Sequence, residues 1–292
     1  RPRSIKNPWT TAERAVMIQH SFADDAHRIH CLPLKDRLYN DQQWVQDVQT
    51  AVQQQAQQLL GDKPLKIGLI GYHKDQSAYY LDMFPQWGLI ESANVAGGIS
   101  ATDIRNYLFS APAMDAVEGH WMQIEGAVPP AVYQFLRSFQ HNPAFAQLVR
   151  EQQYVQQYKA AWALAPYPPT FVTADAVVIH SGHLLLIRRR AEPGKGLWAL
   201  PGGFVDQKET VFDAAIRELR EETRLKIPAP VLRGSLKAER VFDYPDRSQR
   251  GRTITHAFLF EFPSGDLPVV RGTDDAEKAK WFPLAQVRDM EE

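Results

Sequence analysis

The chain has 292 residues, 44% of them hydrophobic and 11% aromatic, with 33 Lys+Arg against 34 Asp+Glu for a net charge of -1. That length suggests two domains, since one core rarely grows so large. The charge balance excludes the basic footprint of a duplex nucleic-acid or anionic-membrane binder, so neither partner is expected. The one cysteine, Cys31, excludes an internal disulfide and points to a reducing, cytoplasmic setting. No apolar run is long enough to span a bilayer.

In chain order, Thr10 and Glu13 in "TTAERAVMIQ" have capping-box spacing, predicting a helix with Ala15, Met17 and Ile18 inward. "RIHCLPL" (28–34) reads as a strand. His27, His30 and Cys31 fit no standard zinc spacing, and alternation makes them ordinary strand residues. In "DQQWVQDVQTAVQQQAQQLL", Trp44, Val45, Val48, Val52 and Leu59 recur at helical spacing. "LKIGLIGY" (65–72) has the length and apolarity of a buried parallel strand. Helices are predicted from "ISATDIRNYLF" and over 130–139 and 143–163. Strands interleaved with helices predict an α/β layer.

"LAPYPPTFV" (164–172) breaks that rhythm, because clustered prolines make a stiff connector rather than a helix. The boundary is placed near 165, giving domains 1–164 and 165–292. Beyond it, "TADAVVIH" and "HLLLIRRR" flank Ser181-Gly182 as a hairpin, and further strands are expected at 231–241, 253–262 and 278–283. The second half therefore reads as α+β, with its main helix in "PGGFVDQKETVFDAAIRELREETRL" (201–225).

That helix gathers its carboxylates. Glu218, Glu221 and Glu222 share one face, while Phe212, Ala215, Ile216 and Leu219 form the apolar stripe. Gly202 and Gly203 precede it, where bare backbone can approach a metal or phosphate. An isolated acidic helix face is ordinarily a solvated surface. Carboxylates are also the ligands that Mg²⁺ or Mn²⁺ shares with substrate phosphates.

The stretch closely resembles the Nudix box, with Gly203, Glu209, Arg217, Glu218, Leu219, Glu221, Glu222 and Leu225 in register. The pattern's last glycine is Arg224 here, which touches the helix exit and no metal ligand. The resemblance implies that Glu218, Glu221, Glu222 and the Gly203 carbonyl hold the metals, and that Arg217 pairs with Glu209. The flanks "VTADAVVI", "LLLIRRRAEPGKGLWALPGGFV" and "VFDYPDRSQRGRTITHAFLF" look like the ADP-ribose pyrophosphatase branch, implying hydrolysis of ADP-ribose to AMP and ribose 5-phosphate in NAD metabolism.

Arg247, Arg250 and Arg252 suit forked contacts to phosphate or ribose, and Lys195 adds a charge. Trp198 belongs more naturally to the core. A further carboxylate, base or ligand, is offered by Asp274, Asp275 or Glu277, with nothing to choose among them.

In the first half, Ser100, Thr102 and Arg105 of "GGISATDIRNYLF" form an anion-binding helix opening. With "SIKNPWTTAERAVMI", "YNDQQW" and "GYHKDQSAYYLDMFPQWG", it resembles the nicotinamide-mononucleotide adenylyltransferase domain of bifunctional proteins that also carry a Nudix domain. That resemblance implies a Rossmann-like nucleotidyltransferase fold, with Ser100, Thr102 and Arg105 at ATP phosphates and nicotinamide mononucleotide as co-substrate. The family's Gly-x-Phe-x-Pro-x-His-x-Gly-His segment is not in this sequence, and the chain stops after "QVRDMEE". The expectation is a truncated representative with weak adenylyl transfer, free to form an oligomer. A non-catalytic ADP-ribose sensor is the remaining alternative, and retention of Glu209, Glu218, Glu221 and Glu222 argues against it.

Overall fold

The computed structural model describes residues 3–37, 39–61, 63–71, 76–92, 100–110, 114–273, 276–287 and 290. The chain divides into two compact units, Lys6–Phe145 (with Arg1) and Ala146–Glu292 (with Pro2–Ile5). The division falls inside a helix, upstream of the proline-rich connector where the sequence placed it.

In the first unit, α1 (Thr11–Ser21) opens on Thr10, whose hydroxyl accepts the Glu13 N–H while the Glu13 carboxylate accepts the Thr10 N–H. That reciprocal pair satisfies amides the first turn leaves free. Of the predicted inward residues only Met17 is buried, and Ile18 is exposed. A 3₁₀ turn, Ala23–Arg28, follows, and 29–37 is irregular. The strand expected at 28–34 is therefore corrected: apolar alternation makes a strand only where a neighbouring strand accepts its hydrogen bonds.

The glutamine-rich segment is α2 (Asp41–Leu60), capped by Asn40. β1 (Gly68–Gly71) pairs in parallel with β2 (Gly88–Glu91), as Gly68↔Gly88 through Gly71↔Glu91. The parallel strand is present, but its burial is not, for Ile70 is 71% exposed. Among the described residues β1 and β2 are a two-stranded sheet, which leaves its faces open. The unit continues with α3 (Ala101–Phe109), α4 (Met114–Ala127), α5 (Pro130–Phe139) and the start of α6 (Pro143–Ala160). Phe109, Ile124, Leu136 and Phe139 form its core, with Phe145 packed against Phe109 and Phe139.

The second unit is built on β3 (Thr170–His180), β4 (His183–Arg189), β5 (Trp198–Ala199), β6 (Gly202–Phe204), β7 (Leu236–Phe242), β8 (Arg252–Phe262) and β9 (Ala276–Pro283). The sheet runs β5-β4-β3-β8-β7, with β6 added to β3 and β9 to β4. β3 and β8 are parallel from Thr170↔Arg252 to His180↔Phe262. Ser181 and Gly182, both at positive φ, turn β3 into β4 as predicted.

α7 (Val211–Thr223) lies on this sheet, and Ala214, Ala215, Ile216 and Leu219 join Ala174, Ala176, Val178, Phe258 and Phe260 in one buried cluster. Each large aliphatic side chain so buried contributes about 1.5–3 kcal/mol. Trp198 packs on Phe282 in a second cluster. Residues 231–234, read as strand, are instead the end of α8 (Ala229–Gly234), because Pro228 and Pro230 preset a helical start. β7 begins only at Leu236.

Thr210 caps α7 at one end by accepting the Asp213 N–H. At the other, Arg224 takes the left-handed conformation, φ 52 and ψ 26. A side chain there costs about 1 kcal/mol relative to glycine. Arg224→Gly is accordingly expected to raise the unfolding free energy by about 0.5–1 kcal/mol, read as a rise of a few degrees in Tm. An unchanged or lower Tm would show that the arginine side chain compensates elsewhere.

Candidate active site

The site lies where β6 meets α7. β6 pairs antiparallel with β3 as Asp175↔Gly202, Ala174↔Gly203 and Thr173↔Phe204, which sets its backbone against the helix. The Gly202 N–H donates to Glu222 Oε2 at 3.0 Å. A Cβ added at Gly203 would fall 2.3 Å from Glu218 Oε1, and one at Gly202 would fall 2.3 Å from Asp175 Oδ1. Only glycine leaves room for that approach, which is the physical content of the double glycine seen in the sequence.

Arg217 collects the remaining carboxylates. Its Nε and Nη2 donate to the two Glu209 oxygens at 3.0 and 2.7 Å, and Nη1 to Glu218 at 2.8 Å and Glu221 at 3.1 Å. Nη2 also donates to the Phe204 carbonyl at 3.1 Å, tying helix to strand. Hydrogen bonding to Glu209 first, against burial, holds the guanidinium proton more tightly than usual. The same bond holds the Glu209 carboxyl below the ordinary carboxylate range.

Among the described residues, no group of at least three His, Cys, Asp or Glu side chains already encloses a common point. Arg217 occupies Glu218 and Glu221, and Glu222 is turned to the Gly202 amide. The donor set still fits a hard divalent cation, being carboxylate oxygens beside a backbone cradle that a Cβ would fill.

The predicted arginines are all engaged. Arg247 donates to Thr255 Oγ1, which itself bonds Thr173 Oγ1. Arg252 donates to the Asp243 carbonyl, and Arg250 lies over the rings of Phe204 and Tyr158. The Lys195 side chain is exposed, and its N–H meets Glu192. Glu277 pairs with Arg188 at 3.4 Å on β9. Asp274 and Asp275 lie outside the described residues. Just before them, the Arg271 N–H donates to the Thr223 carbonyl and the Thr273 hydroxyl to the Glu221 carbonyl, fastening this loop to the end of α7.

In the first unit, Ser100 caps α3 with Asp103 and Arg105 donates to Thr102 at 2.9 Å. Arg105, Arg14 and Lys6 line one cavity of about 340 Å³ with Asn7 and Trp9. Burial there, and secondly Arg14, lower the proton affinity of Arg105. Gly97 and Gly98 lie outside the described residues.

Sequence reasoning missed Asp175, a partly buried carboxyl on β3. Burial pushes it up to about 6 and Glu218 adds to the rise, while Arg247 and Arg189 oppose it. A group whose folded value is raised gives stability that is full below its unfolded value and lost as pH rises through the folded one. In metal-free protein, Asp175→Asn is therefore expected to flatten the fall in stability between about pH 4 and pH 6.5. Urea midpoints across that range check it, and parallel curves for both proteins would contradict it.

Residues 169–292 match the family model described as the NUDIX domain. The chain is 36% identical over 147 residues to the nicotinamide/nicotinic acid mononucleotide adenylyltransferase of Acinetobacter baylyi, covering 50% of this chain and 70% of that one. It is 39% identical over 113 residues to the ADP-ribose pyrophosphatase of Methanocaldococcus jannaschii, covering 39% and 62%. The crystal structure of a bifunctional NMN adenylyltransferase/ADP ribose pyrophosphatase from Francisella tularensis, complexed with AMP and a manganese ion, superposes with a TM-score of 0.86 at 35% identity. That match covers 98% of this chain and 82% of the other. With a Nudix fold around the β6–α7 junction and this likeness along nearly its whole length, the chain belongs to the bifunctional NMN adenylyltransferase/Nudix family.

Proposed function

We propose that the second unit is a divalent-metal-dependent hydrolase that splits ADP-ribose into AMP and ribose 5-phosphate. The observation that carries this reading is the set of box glutamates facing the Gly202–Gly203 backbone with Arg217 bracing both. The names of the Methanocaldococcus jannaschii and Francisella tularensis proteins support the choice of substrate.

Glu218, Glu221, Glu222 and the Gly203 carbonyl would hold Mg²⁺ or Mn²⁺, and the manganese named with the Francisella tularensis structure supports the class of ion. A bound divalent cation supplies neutralisation of the two phosphates and a water of lowered pKa. The chain supplies the rest. Arg217 and Glu209 fix the loop between β6 and α7 and tie the strand to the helix. The Gly202 amide fixes one oxygen of the buried Glu222. Arg247 brings its positive charge near Asp175.

Glu222→Gln keeps the size of the side chain and removes its charge. It should lower kcat by more than the roughly 100-fold typical of groups that merely support a metal ligand, with the fold retained by circular dichroism. The substrates for that assay are ADP-ribose, NADH, diadenosine polyphosphates and nucleoside triphosphates with Mg²⁺. Undiminished hydrolysis by the variant would refute the assignment, and a preference for another substrate would redirect it.

A second reading, adenylyl transfer from ATP to nicotinamide mononucleotide by the first unit, is favoured by the cavity lined by Lys6, Arg14 and Arg105 and by the Acinetobacter baylyi relative. Ser100 and Thr102 would meet the phosphates beside Arg105. NAD formation that falls at least tenfold in Arg105→Ala supports it, and no detectable NAD from the unaltered chain removes it.

A further inference from the structure

Arg250 reads in the sequence as one of three arginines aimed at a substrate phosphate, but its surroundings are aromatic. Its guanidinium carbon lies 4.6 Å from the centre of the Phe204 ring on β6 and 5.7 Å from that of Tyr158 on α6. Tyr154, one turn earlier on α6, accepts a hydrogen bond from it through its hydroxyl oxygen. Among the described residues its buried Nε has no hydrogen-bond partner, and ring faces and one hydroxyl surround this side chain. Arginine suits that place because its flat, weakly hydrated cation stacks on rings at modest desolvation cost.

Phe204 is gripped on several sides. Phe171 meets it edge-on at 5.7 Å, and Phe171 in turn meets Tyr158 at 5.6 Å and Trp162 at 5.7 Å. The chain passes close here, since a Cβ at Gly251 would come 3.2 Å from the Phe171 ring. The backbone of Phe204 faces the other way: its carbonyl accepts from Arg217, and the two residues before it are the glycines set against Glu222 and Glu218. Gly203, next to Phe204 in the strand, lies so close to Glu218 that an added Cβ would fall 2.3 Å from its Oε1, so the ring that seats β6 sits one residue from the backbone that faces the carboxylates.

We propose that Arg250 is a positioning residue: clamped between Tyr158 and Phe204, it holds β6 at the distance from α7 that the divalent cation needs, which makes the Ala146–Ala160 part of α6 a working element of the hydrolase. The inference rests on the metal site proposed above. Residues that support metal ligands without touching the metal change its affinity by about 10–100-fold when altered.

The test is Mn²⁺ binding by the full chain, followed by the loss of the free-ion electron paramagnetic resonance signal, together with kcat and KM for ADP-ribose. Arg250→Met and Tyr158→Ala are each expected to weaken Mn²⁺ binding about tenfold and to lower kcat, with KM changed less than about threefold. Tyr158→Phe, which keeps the ring, should restore the affinity, and Arg250→Lys should give an intermediate value. A raised KM with unchanged Mn²⁺ affinity in Arg250→Met would make Arg250 a substrate ligand and overturn the proposal. A lowered Tm with unchanged Mn²⁺ affinity would overturn it in favour of a purely structural role. Should an altered protein fail to fold, Tyr158→Phe against Arg250→Lys still decides, since unchanged Mn²⁺ affinity in Arg250→Lys would overturn the clamp. Glu222→Gln is the control: if it too leaves Mn²⁺ binding unchanged, the metal site itself is wrong, and the clamp falls with it.

Discussion

Arg217 is the charge on which the second unit depends. Glu209, Glu218 and Glu221 would repel one another across a loop and a single helix face, and like charges at helical spacing destabilise the helix that carries them. One guanidinium answers all of them and reaches the Phe204 carbonyl as well. Glu222 is handled differently. It is 5% exposed and its carboxylate accepts the Gly202 amide, so a backbone dipole meets part of its charge. The helix can therefore hold its carboxylates near one another without a bound cation. The glycines at 202 and 203, the Thr210 cap and the left-handed exit at Arg224 all serve to keep that helix at its distance from β6.

How much could be read in advance depended on the range over which each signal acts. The α7 stretch was legible because its spacing is fixed by one helix and one adjacent strand, both local. Capping at Thr10 and the turn at Ser181-Gly182 were legible for the same reason, while Ser100, read as an anion ligand, caps α3 with Asp103. The left-handed residue at 224 could be anticipated as a place where glycine belongs, and the backbone adopts that conformation with arginine in it. Strands were harder. Residues 28–34 and 65–72 were both read as strands, yet among the described residues the second alone pairs, through Gly68–Gly71. Pairing is a property of two segments far apart, and a single segment does not contain it. The misreading at 231–234 has another cause: apolar Val231 and Leu232 outweighed Pro228 and Pro230, which open a short helix.

The site residues divide along the same line. Those on α7 and β6 were named correctly as neighbours, since the sequence separation is small. The arginines of 247–252 were named for their chemistry, and chemistry alone does not say which way a side chain faces. One bonds a threonine of β8, one a carbonyl of its own loop and one stacks on rings. Asp175 had a signal that went unread. It alternates with Ala174 and Ala176, whose side chains join the α7 core, so a period of two puts its carboxyl on the other face. A lone acid in such a run is costly unless something nearby needs it, and that cost was the available clue.

The stiff connector at 164–172 leads into the stretch 169–292 that matches the NUDIX domain, while the compact units divide by contacts at Phe145/Ala146, so α6 packs with the second unit. The reason is aromatic. The Tyr158 ring on α6 meets Arg250 and Phe171, the Tyr154 hydroxyl meets Arg250, and Trp162 just beyond the helix meets Phe171, so this end of α6 packs with residues of the second unit. Composition marks where a chain can bend. Contact decides to which body a helix belongs, and here the contacts run from α6 through Arg250 and Phe204 to the strand whose glycines face the box glutamates. A hydrolase cut at the prolines would keep every residue of its sequence motif and lose the outer half of the clamp on β6.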